Sequence, residues 1–524
     1  MPRIDIYDTT LRDGVQGADI SYSVESQLRI VERLDNLGVS FIEAGQPESN
    51  PKSKSFFARL REMKLTHANL VAFGKTRHPR SAVEEDAGLR SLLDAETEWV
   101  AIVAKSWDLH VDKVLGITLD KNLTIIDDTV RFLKQNGRSV IFDAEHFFDG
   151  YKHAPDYAVK TLEVARDAGA DTLVLCDTNG SSLPSTVGDV TRVVKEQLAV
   201  PLGIHTHNDV GMAVAAVVAA VESGATQVHG TVNGYGERCG NADLCALIAV
   251  IALKLGLDCI PQDRLRGITE LSHFVAELSN MAPDDRQPFV GRFAFLHKGG
   301  MHVDAVAKDA TTYEHIDPEL VGNRRRIAIS EVSGKRSVIE KADELGLELG
   351  RSHEEARHVL EQVKDLESDG YHYEGAEASF ELIVKKSTGE YRSFFDLAGF
   401  RVIVEKRDDG RLISEATIKV KVGDKEEHTA AEGNGPVDAL DHALRKALEK
   451  FYPILREMHL TDFKVRILDS QAATAARTRV LIESSDQLRT WGTVGVSENI
   501  IEASYQALVD AVEYKLLKDL ASST

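Results

Sequence analysis

The sequence predicts an α/β protein whose N-terminal half is a closed (β/α)8 barrel. Short apolar strands alternate with amphipathic helices, and about eight strand–helix units fit into roughly 260 residues, the size of a TIM barrel. Several predicted helices end in a glycine, at Gly38, Gly169 and Gly224, where a left-handed cap is expected. A doubly wound open sheet is the competing architecture. The predicted strands cover residues 3–8, 40–44, 69–73, 98–104, 139–144, 172–177, 202–207 and 227–232.

The remainder of the chain has a different pattern. Strand signals fade between about residues 265 and 370, where 268–281 and 352–368 read as helices and 323–337 is basic and irregular. Beyond this stretch, segments 427–450 and 488–516 resemble each other, each running from a strand through a glycine turn into a helix. We therefore expect a barrel at 1–268, a helical connector at 269–370 and an α+β domain with internal pseudo-duplication at 371–524. Further strands are predicted at 378–386, 400–407, 415–422, 463–470 and 476–485.

Composition limits the class of protein. The formal net charge of −21 argues against nucleic acid or an anionic membrane as the main partner. The four cysteines form no CxxC pair, which is typical of a reduced compartment. The N-terminal segment has no apolar signal-peptide core, and the most apolar stretches, 210–221 and 245–257, fall short of the ~20 residues of a membrane span. We expect a soluble, cytoplasmic protein.

Polar and ionisable residues recur where the predicted barrel strands end. The carboxyl ends of the strands form the face that carries the active site in TIM barrels. A structural protein has no reason to keep such a pattern. In chain order the residues are Thr9, Thr10, Arg12, Asp13, Gln16, Glu43, Lys75, Lys105, Glu145, His146, Asp177, Thr178, Asn179, His205, His207, Asn233, Glu237, Arg238 and Asn241.

The strongest metal-binding signal is the pair His205 and His207. Residues i and i+2 of a strand point to the same side, about 6.6 Å apart, so the two imidazoles project together. With Asp13 as a carboxylate, and Asn241 as a further amide oxygen, they could bind Mg, Mn, Fe or Zn. Taken alone, the HxH motif is also compatible with a chance polar pair on an exposed strand.

Other candidates have both a functional and a plainer interpretation. Arg12 could hold a carboxylate or a developing enolate, or form a surface ion pair with its neighbour. Glu145 could transfer a proton or be a solvated loop acid, and Thr178 could bind a substrate carboxylate or cap a helix. His302 and Tyr313 lie in the connector, where they could pack, or could supply an acid or base to a barrel mouth, including that of a partner subunit.

Five motifs together resemble one enzyme family. DTTLRDGVQG, FIEAGQP, HTHND, NGYGERCGNADL and HKGGMHVDA look like the acyl-CoA-condensing branch of the DRE-type metal-dependent barrel enzymes, which includes the 2-isopropylmalate, homocitrate and citramalate synthases. The likeness covers nearly the whole chain, because the C-terminal duplication resembles the leucine-type regulatory dimer domain. AGQPESNPKS, AKSWDLHVDKVLG, FDAEHFFDGYK and TVGVSENIIEASYQAL are most similar to the long bacterial citramalate synthases.

The resemblance implies an activity and roles for individual residues. The activity is the metal-dependent condensation of acetyl-CoA with pyruvate, with Mn, Mg or Zn as the metal. It further implies a homodimer and feedback inhibition by isoleucine through the C-terminal domain. Asp13, His205, His207 and Asn241 would hold the metal, and Arg12, Asp13, Gln16, Glu43 and Thr178 would bind substrate. Arg12, Glu145, His302 and Tyr313 would act in catalysis, with either Glu145 or His302 as the base.

Three alternatives stay open from the sequence. A sister synthase would take another 2-oxo acid, such as 2-oxoisovalerate, in the same site. A carbon–carbon lyase of the superfamily is a second alternative, although the C-terminal domain argues against it. The third is a non-catalytic amino-acid sensor built on an inactive barrel.

Overall fold

The computed structural model describes residues 3–47, 50–328, 335–344, 353–373, 375–468 and 476–521. The chain forms two compact units that interleave in sequence. The first unit comprises residues 1–295 and 316–324, and the second comprises residues 296–315 and 325–524. The basic segment predicted as irregular lies partly outside the described residues, at 329–334, and so do the last two residues of the strand predicted at 463–470.

The first unit contains a closed barrel of eight parallel strands in sequential order, in which β1 pairs with both β2 and β8. The predicted (β/α)8 barrel is thereby confirmed, and the open sheet is not formed. The strands are β1 Asp5–Asp8, β2 Phe41–Gly45, β3 Asn69–Lys75, β4 Trp99–Lys105, β5 Ser139–Glu145, β6 Thr172–Asp177, β7 Leu202–Thr206 and β8 Gln227–Gly230.

Helices follow each strand of the barrel. They bury their apolar faces against the outside of the strands, and this layer forms the main core of the unit. The predicted glycine caps are confirmed, because Gly38, Gly169 and Gly224 have φ angles of 93°, 106° and 106°. The helices are α1 Val24–Leu37, α2 Pro51–Leu60, α3 Ala87–Asp94, α4 Asp108–His110, α5 Leu119–Gln135, α6 Phe147–His153, α7 Pro155–Ala168, α8 Pro184–Gln197, α9 Ala213–Glu222, α10 Leu244–Leu253 and α11 Ile268–Leu278.

The second unit begins with short elements and continues with longer helices. The two-residue strands β9 and β10 pair in parallel. Among the described helices, none has the length and apolarity that a membrane span requires. The elements of this part are β9 Leu296–His297, α12 Gly300–Lys308, β10 Arg326–Ile327, α13 Lys335–Glu344, α14 His353–Ser368 and α15 Glu377–Thr388.

The predicted duplication at the C-terminus is confirmed as two βββα repeats. Each repeat is a three-stranded antiparallel sheet followed by a helix, and the apolar faces of both repeats join one core. The first repeat comprises β11 Asp396–Lys406, β12 Leu412–Val422, β13 Lys425–Gly433 and α16 Pro436–Leu448. The second comprises β14 His459–Ile467, β15 Thr478–Ser485, β16 Thr490–Ser497 and α17 Ile500–Ala521.

The strand predicted at 378–386 is wrong, because this segment lies in helix α15. Its apolar residues Ala378, Phe380, Leu382 and Val384 alternate like those of a half-exposed strand. In the structure they are all buried, together with Ser379 and Glu381 between them. A helix buried on several sides loses the 3.6-residue spacing by which a helix is recognised in a sequence.

Candidate metal centre and active site

Four of the predicted site residues meet at the carboxyl-terminal mouth of the barrel. His205 lies on β7, His207 follows it, and Asp13 and Asn241 come from the segments after β1 and β8. The Nε2 atoms of the two histidines are 3.4 Å apart, and they lie 3.5 and 4.0 Å from Asp13 Oδ2. All four side chains are buried. Asp13, His205 and His207 each direct one ligand atom into a space within 4.8 Å.

The arrangement of donors fits a divalent cation. Two ring nitrogens that face each other at 3.4 Å, beside a carboxylate, are unfavourable unless a proton or a cation lies between them. Asn241 donates from Nδ2 to Asp13 Oδ1 at 3.0 Å, whereas its Oδ1 is buried without a hydrogen-bond partner. An unpartnered amide oxygen beside two imidazoles and a carboxylate is the donor set that transition metals and zinc accept.

Burial and local charge keep these ligands in the protonation state that a metal requires. Burial lowers the pKa of His205 to about 3, so its ring is neutral at ordinary pH. Burial also lowers the pKa of His207. Burial alone would raise the pKa of Asp13, but the charge of the Arg12 guanidinium outweighs it and lowers the pKa. Neutral imidazole and ionised carboxylate are the metal-binding forms.

Arg12 is fixed beside this centre by two carboxylates. Its Nη1 donates to Asp13 at 2.6 Å and its Nε donates to Glu43 at 2.6 Å, while the guanidinium stacks 4.2 Å from the Phe73 ring centroid. Glu43 is fully buried and also accepts hydrogen bonds from the hydroxyls of Tyr7 and Thr9. Glu43 thus contacts Arg12 rather than open space, and it holds the guanidinium in place.

Glu145 is the last residue of β5, and Thr178 directly follows the neighbouring strand β6. Glu145 forms an ion pair with Lys105, its register partner on β4. His146 has the left-handed φ of 54°, which is uncommon outside glycine, and its N–H donates to Thr178 Oγ1 at 2.9 Å. Because Thr178 Oγ1 already accepts this bond, its own proton is suited to be donated to a ligand.

Two cavities open around these residues. One of about 570 Å³ is lined by Phe73, Lys75, Lys105 and Glu145, among others. A second of about 320 Å³ is lined by Arg12 and the exposed Gln16. Together they give the barrel mouth room for an anionic ligand next to Arg12 and for a longer molecule next to Glu145.

His302 and Tyr313 belong to the second unit. Their rings stack with centroids 4.2 Å apart, and both side chains are exposed. The structure therefore brings these two predicted residues together with each other. The nearby Glu314 is buried and accepts from His297 and Arg325.

Two buried carboxyl groups near the site were not singled out from the sequence. Asp143 is buried on β5, and its Oδ1 has no hydrogen-bond partner. Burial, reinforced by the charge of Glu43, raises its pKa. Asp8 at the end of β1 accepts from the N–H and the hydroxyl of Thr10. Strand alternation could have indicated Asp143 from the sequence. Asp143 lies two residues before Glu145 on the same strand, so its side chain points to the same side.

Family models match three successive parts of the chain. An HMGL-like model matches residues 3–275, a model described as the homocitrate synthase post-HMGL domain matches 289–370, and the LeuA allosteric (dimerisation) domain matches 374–516. The three matched ranges correspond, in chain order, to the barrel, the short connecting elements and the duplicated repeats.

Curated relatives match over nearly the full length. The chain is 52% identical to the (R)-citramalate synthases of Geobacter sulfurreducens and Aquifex aeolicus, over 99% of this chain and 98% of each relative. It is 32% identical to a probable 2-isopropylmalate synthase of Methanopyrus kandleri, over 97% of this chain and 98% of that relative. The chain therefore belongs to the HMGL-like family and, within it, to the (R)-citramalate synthases.

Proposed function

We propose that this protein condenses acetyl-CoA with pyruvate in a metal-dependent reaction and hydrolyses the product to (R)-citramalate and CoA. The observation that carries the proposal is the buried cluster of Asp13, His205 and His207 beside Arg12 at the mouth of the barrel. The 52% identity to (R)-citramalate synthases supports pyruvate as the acceptor over the larger 2-oxo acid of the less similar 2-isopropylmalate synthase.

Asp13, His205, His207 and Asn241 are the residues that we propose to hold a divalent metal, with Mn, Mg or Zn as candidates. When bound, the metal would supply Lewis acidity for the ketone of the acceptor. The buried, unpartnered Oδ1 of Asn241 is the clearest indication that the protein leaves a ligand position for it.

Arg12 and Thr178 are proposed to bind the carboxylate of the 2-oxo acid. The guanidinium offers a charged fork, and the Thr178 hydroxyl can donate, because its oxygen already accepts from His146 N–H. Glu43 keeps Arg12 in position through the bond from Nε. Gln16, exposed at the rim of the smaller cavity, is proposed to contact the same substrate.

The acetyl methyl group must lose a proton before it can attack the ketone. Glu145 is the proposed base within the barrel unit, where it lines the larger cavity beside Lys105. His302 is the alternative base, and Tyr313 is proposed to assist hydrolysis, both because their segments resemble the catalytic motifs of the family. We further propose that the larger cavity, with Lys75 in its wall, receives the anionic co-substrate.

We propose the functional division 1–268 for catalysis, 269–370 for the connector and 371–524 for regulation by isoleucine in a homodimer. The match to the LeuA allosteric (dimerisation) domain supports regulation and pairing, and the isoleucine assignment follows from citramalate as an isoleucine precursor. Helix α15 packs on α17 through the bond between Ser379 and Asp510, so a truncation that tests this must remove α15 as well. Any CoA release that remains in a chain ending at residue 370 should be insensitive to isoleucine. Isoleucine inhibition that survives this truncation would contradict the assignment.

The decisive experiment is CoA release from acetyl-CoA with pyruvate, 2-oxobutyrate, 2-oxoisovalerate or 2-oxoglutarate, with Mn²⁺ or Mg²⁺ and then with EDTA. We expect pyruvate to be preferred and EDTA to abolish release. His302→Ala with near-normal turnover would leave Glu145 as the base. Preference for a larger acid would make the protein a sister synthase, and no release with any acid would refute the proposal.

A further inference from the structure

One arginine joins three loops at the barrel mouth. Arg238 lies in the segment after β8 and adopts a left-handed φ of 57°. Its Nε and Nη2 donate to the two carboxylate oxygens of Asp209 at 2.7 and 3.0 Å, and Nη2 also donates to the backbone carbonyl of Thr178 at 2.7 Å. We call the set of Arg238, Asp209 and the Thr178 carbonyl the clasp.

The three loops tied by the clasp carry residues of the candidate site. Thr178 follows β6, Asp209 lies two residues after His207, and Asn241 lies three residues after Arg238. Backbone bonds run between the same segments, from Asn208 N–H to Gly240 O at 2.9 Å and from His207 N–H to Asp177 O at 3.2 Å. The Arg238 guanidinium therefore adds side-chain hydrogen bonds to the backbone hydrogen bonds that already connect these loops.

We propose that Arg238 is a positioning residue that sets the location of the Thr178 hydroxyl for the carboxylate of the 2-oxo acid. This inference rests on the proposed function, in which Thr178 binds that carboxylate. Arg238 donates to the backbone carbonyl of Thr178, whereas the hydroxyl of Thr178 accepts from His146 N–H. These two hydrogen bonds together restrict the position of the hydroxyl.

The chemistry of the clasp requires an arginine. A planar guanidinium can bind a carboxylate with two parallel bonds and still donate to a carbonyl, whereas a lysine ammonium has no such fork. The backbone at Gly180 also leaves room for the Asp209 carboxylate. Gly180 has a φ of +61°, and a Cβ there would lie 2.4 Å from Asp209 Oδ2. The same Cβ would lie 2.8 Å from the backbone carbonyl carbon of His207 and 2.9 Å from the backbone nitrogen of Asp209, so only glycine lets the two loops approach this closely.

The test uses Arg238→Lys and Asp209→Asn in the full-length, metal-loaded enzyme, because these two side chains form the paired bonds of the clasp. Both variants break the clasp from different ends, and both should raise the KM for pyruvate roughly tenfold or more, as small misplacements of binding groups do. The KM for acetyl-CoA should change less than about twofold, since that molecule is not bound by Thr178. Arg33→Lys is the matched control, because it alters an exposed arginine pair with Glu270 away from this loop.

A second readout does not depend on activity. Hydrogen–deuterium exchange around residues 177–182 should be faster in Arg238→Lys and Asp209→Asn than in the wild type and in Arg33→Lys. Equal changes in both KM values, or unchanged KM values and unchanged exchange, would overturn the inference. If wild-type protein shows no turnover of pyruvate, the proposed function fails. In that case, slower or unchanged hydrogen–deuterium exchange in the clasp variants, compared with the wild type, would also refute the positioning role of Arg238.

Discussion

At the scale of single residues, the barrel mouth concentrates charge where solvent is scarce. Arg12 stands between Asp13 and Glu43, so one buried cation serves two buried carboxylates. Pairing of this kind offsets the cost of removing each charge from water. Among the described residues, no arginine forms an ion pair with Asp143 or Asp8, and burial raises the pKa of both groups. Burial thus favours the protonated form of both carboxyl groups.

Asp8 allows this to be tested through pH. Burial raises the pKa of its carboxyl to about 7, although Thr10 donates two hydrogen bonds to it. Between the unfolded pKa near 4 and the folded value, the folded state holds a proton that the unfolded chain has lost, so stability falls as the pH rises. Replacing Asp8 with asparagine removes this dependence. From pH 5 to pH 8 we expect Asp8→Asn to gain about 2–3 kcal/mol relative to wild type.

The measurement is urea unfolding of the barrel unit at the two pH values. The chain has three tryptophans, Trp99, Trp107 and Trp491, and the first two lie in the barrel unit. A Trp491→Phe background therefore makes the fluorescence report on that unit. The measured quantity is the difference in free energy of unfolding between Asp8→Asn and the wild type. If this difference is the same at pH 5 and pH 8, Asp8 does not titrate in this range.

At the scale of elements, α15 shows how a helix can be held by its neighbours. Ser379 donates to Asp510 on α17 at 2.6 Å and accepts from the N–H of Val494 on the edge strand β16 at 3.1 Å. One hydroxyl thus bonds to the half-buried Asp510 carboxyl group and to an edge-strand N–H at the same time. The helix covers the edge of its sheet, which would otherwise present unpaired backbone groups.

Ser379→Ala should destabilise the second unit by about 1–2 kcal/mol, because it leaves the buried N–H of Val494 without this acceptor and the half-buried Asp510 carboxyl group without this donor. Ser504→Ala is the matched control, since Ser504 is equally buried but its hydroxyl bonds only to Ile500 O within its own helix. Urea unfolding followed by Trp491 fluorescence, with Trp99 and Trp107 replaced by phenylalanine, measures both variants. Equal losses in the two variants would contradict the bridging role of Ser379.

At the scale of the whole molecule, an apolar strip on β14 is the surface that we propose for the contact between the two copies of the proposed homodimer. Phe463 and Val465 pair in register with Ile482 and Val480, which are buried under the helix layer. Phe463 and Val465 point to the same side but are 36% and 43% exposed. An apolar sheet face that extends beyond the helices packed on it is typical of a protein–protein interface.

The double variant Phe463→Glu, Val465→Glu should therefore shift the protein from dimer to monomer. Two buried charges facing each other across an interface are strongly unfavourable. Lys464→Glu is the control, because it places the same charge on the opposite face of the same strand. Analytical ultracentrifugation decides between the outcomes, and a double variant that sediments as the wild type does would place the interface elsewhere.

Much of this molecule could be predicted because its signals are local. The eight barrel strands, the glycine caps and the duplicated repeats follow from periodicities of two and 3.6 residues and from turn chemistry, which neighbouring residues determine. The HxH pair could be predicted for the same reason, as strand geometry alone places both rings on one side. Signals of this kind failed at α15, where burial on several sides removed the helical period.

The amino-acid sequence by itself determined the barrel, the metal-binding residue types and the strand ends at which they lie. Only the tertiary structure determined which of the side chains at these strand ends are in contact. It assigned Glu43 to Arg12, Lys105 to Glu145 and Arg238 to Asp209, since these pairs come from strands and loops separated along the chain. The physical reason is that a strand end fixes the direction of its own side chain, whereas a contact also depends on the register and closure of the whole barrel.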